Sequence, residues 1–241
     1  MDRIELRQLT RTYYDAQGET FCALDQVSLI WEEGHSIAIM GENGSGKSTL
    51  ARLMIELERP PEERVLINGE DTSRWGLREW RKYRAKIQAV CLDAGTLSPA
   101  WSTSKNIEEA LTNLTDVSPV QRKQHMDELM EQTGLRKELL DAPVRRLSGG
   151  EQRRLALLRS LSISPAFLLL DEVTAGLDLI STEEVLQLLE KYKHEHNCVY
   201  LVITHDVQIA SRFCEAIYEI EHGKITEKPF DNHKIKERKI K

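Results

Sequence analysis

The stretch Gly41-Glu42-Asn43-Gly44-Ser45-Gly46-Lys47-Ser48-Thr49 constrains this chain more than any other. The apolar run Ser36 to Met40 leads into it and the helical pattern TLARLMIEL leads out, so it reads as a loop between a buried strand and a helix. Its spacing is G-x-x-x-x-G-K-[ST]. Glycines let backbone N–H groups close around phosphate oxygens where a Cβ would crowd them, and the helix N-terminus adds a favourable dipole. Lys47 is then expected to bind the β- and γ-phosphates and Ser48 to ligate Mg²⁺. A glycine-rich turn that merely joined strand to helix would leave the Lys47-Ser48 pair unexplained.

A strand–loop–helix of this kind needs an α/β core, and the rest of the chain supplies one. Val27 to Trp31, Ser36 to Met40, Val65 to Ile67, Ile87 to Cys91, Ala166 to Leu170, Val199 to Ile203 and Ala216 to Ile220 read as strands. Several are apolar throughout, as strands covered on both faces are. Ser118-Pro119-Val120-Gln121, Ser148-Gly149-Gly150-Glu151 and Ser181-Thr182-Glu183-Glu184 each have the spacing of a capping box and predict helix starts. Between Trp75 and Pro143 the pattern is mostly helical, which predicts a helical subdomain inserted in the core. A chain of 241 residues, 40% hydrophobic and 30% charged, is the right size for one such domain.

The bulk numbers exclude other classes. A net charge of −6 argues against a protein that tracks nucleic-acid phosphates, and the basic end His233 to Lys241 reads as a solvated terminus. Cys22, Cys91, Cys198 and Cys214 form no CxxC pair, so neither a zinc site nor a disulfide framework is expected. No run approaches the ~20 apolar residues of a membrane span.

Two more stretches carry chemistry. Ala166-Phe167-Leu168-Leu169-Leu170-Asp171-Glu172 is an apolar strand that ends in two carboxylates. Downstream of a phosphate loop, that pattern assigns Asp171 to Mg²⁺ and Glu172 to the general base that polarises water. Leu147-Ser148-Gly149-Gly150-Glu151-Gln152 opens the helix RRLALLRSL. A capped helix start is also an anion site, and Ser148 adds a hydroxyl to it.

With these three motifs in order, the chain from about residue 4 to 225 resembles the ATP-binding cassette (ABC) ATPases, whose signature reads LSGGQ where this chain has LSGGEQ. The resemblance implies an α/β P-loop NTPase core, an inserted helical subdomain at about 75–145 and an N-terminal antiparallel β subdomain, all within one domain spanning 1–241. It implies Mg²⁺ and ATP as ligands, with Gly41 through Thr49 around the phosphates. It also implies a head-to-tail pair in which Ser148, Gly149 and Gly150 of one subunit close over the γ-phosphate held by the other. Tyr13 looks like the aromatic that stacks on adenine, Asp178 matches the D-loop aspartate, and His205 matches the switch histidine at the γ-phosphate. As single residues these have ordinary explanations: a strand-end aromatic, a helix cap and a turn residue before a helix.

The interval from Lys47 to Ser148 is too short for the coiled-coil insertion of DNA-repair relatives, and the chain holds one cassette rather than the two usual in the translation-associated branch. A separate ATPase subunit at the cytoplasmic face of the membrane is the remaining expectation. Its implied partners are a second ABC ATPase subunit, integral membrane permease subunits and, indirectly, an extracellular substrate-binding protein; no nucleic acid is expected. The run KIQAVCLDAGTLSPAWSTSKNIEEAL resembles the corresponding segment of oligopeptide, dipeptide and nickel importer ATPases. An exporter subunit and a low-turnover regulatory subunit share the same nucleotide motifs and stay open as alternatives.

One position departs from the family pattern. Aligning VCLD with the family's VFQD puts Leu92 where the Q-loop glutamine stands, and leucine has no polar atom with which to sense Mg²⁺ or water. Gln88 lies four residues earlier, about 13 Å away along a strand, and Asp93 would point to the opposite face.

Overall fold

The computed structural model describes residues 2–15, 17–91 and 97–229. The chain divides into two compact units: Met1–Arg78 with Leu169–Asp171 and Val199–Lys241, and Glu79–Leu168 with Glu172–Cys198.

The first unit begins with a long antiparallel hairpin, β1 (Arg3–Tyr14) and β2 (Thr20–Glu32). Leu6 and Leu9 are three residues apart and would face opposite sides of a regular strand. Both are buried because the register shifts between them, where Gln8 takes φ 45°. Two more register shifts follow, between Leu9 and Arg11 and between Arg11 and Thr12, and beyond Leu9 the less exposed positions are Arg11 and Tyr13, with Thr10, Thr12 and Tyr14 exposed. β4 (Val65–Ile67) and β5 (Glu70–Asp71) complete the sheet in the order β2-β1-β4-β5. This is the antiparallel β layer that the family resemblance implied.

A second sheet carries the parallel strands. β3 (Ile37–Met40) lies parallel between β8 (Val199–Ile203) and β9 (Ala216–Glu221), with β10 (Lys224–Lys228) antiparallel at the edge. Every residue of β8 is buried, which is why its sequence is apolar without alternation. α1 (Lys47–Met54) follows β3, and α7 (Val207–Phe213) joins β8 to β9. β7 (Phe167–Asp171) neighbours β8, and its last residues, Leu169–Asp171, belong to this unit.

The second unit is mainly helical: α2 (Leu77–Arg84), which enters it at Glu79, α3 (Thr103–Leu114), α4 (Pro119–Gln132), α5 (Gly149–Leu161) and α6 (Leu179–His196). Its strand β6 (Ile87–Cys91) lies beside the start of β7, where Phe167 N–H donates to the Lys86 carbonyl at 3.0 Å. No helix of the described residues is long and apolar enough to cross a membrane.

Two of the three expected capping boxes form. Ser118 and Gln121 bond reciprocally ahead of α4, and Ser148 and Glu151 do so ahead of α5. The third expectation is corrected. α6 starts two residues before Ser181, capped by Asp178, whose carboxylate accepts from Ser181 N–H at 2.9 Å and also from its hydroxyl. An ionised carboxylate at an N-cap takes two donors and meets the positive end of the helix dipole, so it prevails over the serine box downstream.

Candidate functional site

The phosphate loop leaves β3 and enters α1 in the first unit. Gly41 takes φ 145° and Gly46 φ 115°. A Cβ on Gly41 would lie 2.3 Å from the Ile220 carbonyl oxygen, and one on Gly46 2.3 Å from that of Ala23. Only glycine fits either place, so the backbone can pass tightly between the two neighbouring chain segments. Gly46 is the N-cap of α1 and has no side chain to cap with, so the first-turn N–H groups of Lys47, Ser48 and Thr49 have no side-chain cap bond. Ser45 Oγ is buried without a hydrogen-bond partner. Lys47 is 8% exposed, and its ammonium donates to the carbonyls of Gly41 at 2.7 Å and Glu42 at 2.8 Å.

These features together fit a triphosphate. Bare N–H groups, an orphaned hydroxyl and a buried cation gather on one loop, and all of them favour anionic oxygen. Glu42, Asn43 and Gly44 form the exposed crest of the loop, Ser48 is exposed, Thr49 is half-buried, and the packed apolar face of α1 begins at Leu50.

Two other strands of this unit, β8 and the last residues of β7, end in order beside β3. β8 pairs in parallel with β3 through Ile203 and Ile39, and Thr204 N–H donates to the Ile39 carbonyl at 3.3 Å. The exposed His205 therefore follows β8 just as Gly41 follows β3, at the carboxyl ends of adjacent parallel strands where such folds bind ligands. β7, next in order, ends on Asp171. The residues that could hold Mg²⁺ are Ser48 and Asp171; among the described residues no group of three or more His, Cys, Asp or Glu forms a ready-made metal site. Mg²⁺ suits such a place because it takes one or two carboxylates together with substrate phosphates and water.

Tyr13, near the end of β1, is half-buried. Its ring lies 5.7 Å from that of Phe21, its cross-strand partner, and the Arg11 guanidinium carbon sits 5.4 Å over it. Its hydroxyl donates to Glu58, which also forms an ion pair with Arg11. Neither Arg11 nor Glu58 belongs to any sequence motif.

The remaining candidates fall in the second unit, which the chain enters at the peptide bond from Asp171 to Glu172. Glu172 takes φ 50°, a left-handed conformation it shares with Gln8, Gln26, Glu56 and Glu63 among the long polar side chains. Ser148 caps α5. Its N–H donates to Glu151 Oε2 at 2.9 Å, its hydroxyl donates to the same oxygen at 3.0 Å, and it accepts from Glu151 N–H at 3.3 Å. Gly149 and Gly150 form the first turn, and a Cβ on Gly150 would lie 4.0 Å from Leu177, one residue before Asp178. The start of α5 and the loop that ends in Asp178 thus meet within this unit.

The backbone hydrogen bond from Ser148 holds the Glu151 carboxyl below its ordinary range, and Arg136, 3.3 Å away, adds to the effect. A depressed folded value means that the box stabilises the fold above the unfolded glutamate range and fades as pH falls through the folded one. Ser148→Ala is therefore expected to cost about 1 kcal/mol at neutral pH. Thermal melts of wild type and variant should converge towards acid; a gap that stays constant with pH would contradict the assignment.

The family model described as ABC transporter matches residues 24–175, a span that holds the phosphate loop, Ser148 and the Asp171-Glu172 pair. The chain belongs to the ABC transporter family. It is an ATPase cassette of that family, with the P-loop α/β fold. The nickel import ATP-binding protein NikE of Rhodospirillum rubrum is 34% identical over 85% of the cassette and 74% of its own length. NikE of Pseudomonas putida is 35% identical over 85% and 75%. The methionine import ATP-binding protein MetN of Staphylococcus saprophyticus is 35% identical over 93% of the cassette and 64% of its own length. Among solved structures, the dimeric ATP-binding cassette MJ0796 in a post-hydrolysis state with ADP and Pi is 30% identical, with a TM-score of 0.84 over 95% of this cassette and 99% of that chain.

Leu92 and Asp93 lie outside the described residues. Gln88 is described. Its side-chain amide donates to the Arg84 carbonyl at 2.6 Å and the Ile87 carbonyl at 3.1 Å, so its N–H groups are engaged at the end of α2.

Proposed function

We propose that the cassette is the ATP-hydrolysing subunit of a membrane importer for nickel, metal chelates or peptides, and that it works as a head-to-tail pair beneath a permease. The observation that carries the import assignment is the set of NikE relatives at 31–35% identity over 85% of the chain. The wording of Lys86 to Leu111 supports the same branch. In this reading the backbone of Gly41 to Thr49 and the Lys47 ammonium bind the phosphates, and Tyr13 stacks on adenine. Ser48 and Asp171 hold Mg²⁺, which when bound supplies charge to the β- and γ-phosphates. Glu172 accepts a proton from the attacking water and His205 orients it. Ser148, Gly149, Gly150 and Asp178 face the partner's nucleotide.

The test is to purify the cassette with its membrane subunits, reconstitute them in vesicles and follow nickel and peptide entry with Mg-ATP. Import that depends on ATP supports the assignment, and outward movement of substrate would replace it with export. In the same assembly Leu92→Gln is expected to raise coupled hydrolysis several-fold, because it restores a polar group where the family has one. An unchanged rate would mean that the loop works without it.

A further inference from the structure

We infer that Glu58 is a positioning residue for the nucleobase: it holds the Tyr13 ring at a set place relative to the phosphate loop, and Arg11 holds Glu58. This rests on the reading of Tyr13 as the surface on which adenine stacks. Glu58 is half-buried beyond the end of α1 and accepts from two groups of one strand. One carboxylate oxygen takes the Tyr13 hydroxyl and the other pairs with the Arg11 guanidinium. A carboxylate is the one common side chain that accepts on two oxygens and pairs a cation at once. The Arg11 guanidinium also lies over the Tyr13 ring, so the three groups form a closed triangle.

The backbone of Glu58 is itself tied down. Leu57 N–H and Glu58 N–H both donate to the Arg52 carbonyl, at 2.9 and 3.3 Å, and the Arg59 guanidinium donates to the Ser73 carbonyl at 3.0 Å. α1 is a rigid rod of about 12 Å at 1.5 Å per residue, with the phosphate loop at its start and this anchored turn beyond its end. A base and its phosphates are joined by a ribose of limited reach, so a stacking ring is useful only at a fixed distance from the phosphate site. Glu58 sets that distance from the end of the same helix whose start binds phosphate. Tyr14 makes the contrast: it follows Tyr13 on the opposite face of the strand and is 77% exposed.

The experiment measures binding of ATP and of inorganic tripolyphosphate, each with Mg²⁺, to the whole chain by calorimetry. Tyr13→Ala is expected to weaken ATP about tenfold, the size of one lost base–aromatic stack, and to leave tripolyphosphate unchanged. Glu58→Ala and Tyr13→Phe, which keep the backbone and in the second case the ring, are each expected to weaken ATP about fivefold, again sparing tripolyphosphate. The double variant is expected to be no weaker than either alone, because both remove one contact. If Tyr13→Ala weakens ATP and Glu58→Ala does not, the positioning role fails while the stacking surface stands. If Tyr13→Ala changes nothing, the stacking reading itself fails. Equal loss of ATP and tripolyphosphate in Glu58→Ala would make Glu58 a prop of the phosphate loop and overturn the inference.

Discussion

Glu172→Gln is expected to lower steady-state ATP hydrolysis by about 10²–10⁴-fold, the usual worth of a general base, while ATP binding is retained or strengthened. Glutamine has the same shape and can occupy the same left-handed backbone position, so the φ of 50° is neither relieved nor worsened. What is lost is the ability to take a proton from water. What is also lost is a negative charge close in sequence to Asp171, which removes repulsion against a bound polyphosphate. The variant is therefore expected to accumulate as an ATP-bound pair on gel filtration with Mg-ATP. Abundant turnover by the variant would take Glu172 out of the assigned role and leave His205 as the candidate for activating water.

Gly46→Ala is expected to abolish measurable nucleotide binding, a loss of roughly 100-fold or more in affinity, from the addition of a single methyl group. Its methyl would sit 2.3 Å from the Ala23 carbonyl oxygen and 3.0 Å from a Leu24 methyl, and the backbone is at φ 115°. Backbone cannot yield as a flexible side-chain tip can, so the loop must shift, and strain of order 1–3 kcal/mol follows. A shift of about 1 Å at a site built from aligned N–H groups is enough to cost 10²-fold. Gly44→Ala is the control. It too has positive φ, 81°, but a Cβ there meets nothing within 4 Å, so only the backbone conformation is taxed. Calorimetric titration with ATP separates the two, and similar losses at both positions would show that conformation rather than the Ala23 contact governs the loop.

Much of the site was legible before any coordinates because its requirements are local. Gly41 to Thr49 must turn tightly, expose N–H groups and start a helix, and each demand selects a residue type at a fixed offset. Ser148 and Glu151 announce their helix in the same way. Where two local signals competed, the sequence pattern misled: Ser181 to Glu184 has box spacing, yet Asp178 caps α6 with Ser181 as its donor. The same aspartate is the D-loop candidate, so the local capping role and the proposed interfacial one fall on one residue. The departure at Leu92 came from comparing motifs, and its position lies outside the described residues.

The sequence alone determined the phosphate loop, the strand that ends on Asp171, the capped signature helix and the α/β class, since period and local backbone chemistry encode all of them. Only the tertiary structure decided which neighbours make Gly41 and Gly46 obligatory and what holds Tyr13. Ile220, Ala23 and Glu58 are distant in the chain from the groups they confine; Glu58 is 45 residues from Tyr13. Such a contact leaves no period and no spacing to read, because it depends on where the register shifts along β1 and the end of a helix bring two side chains together.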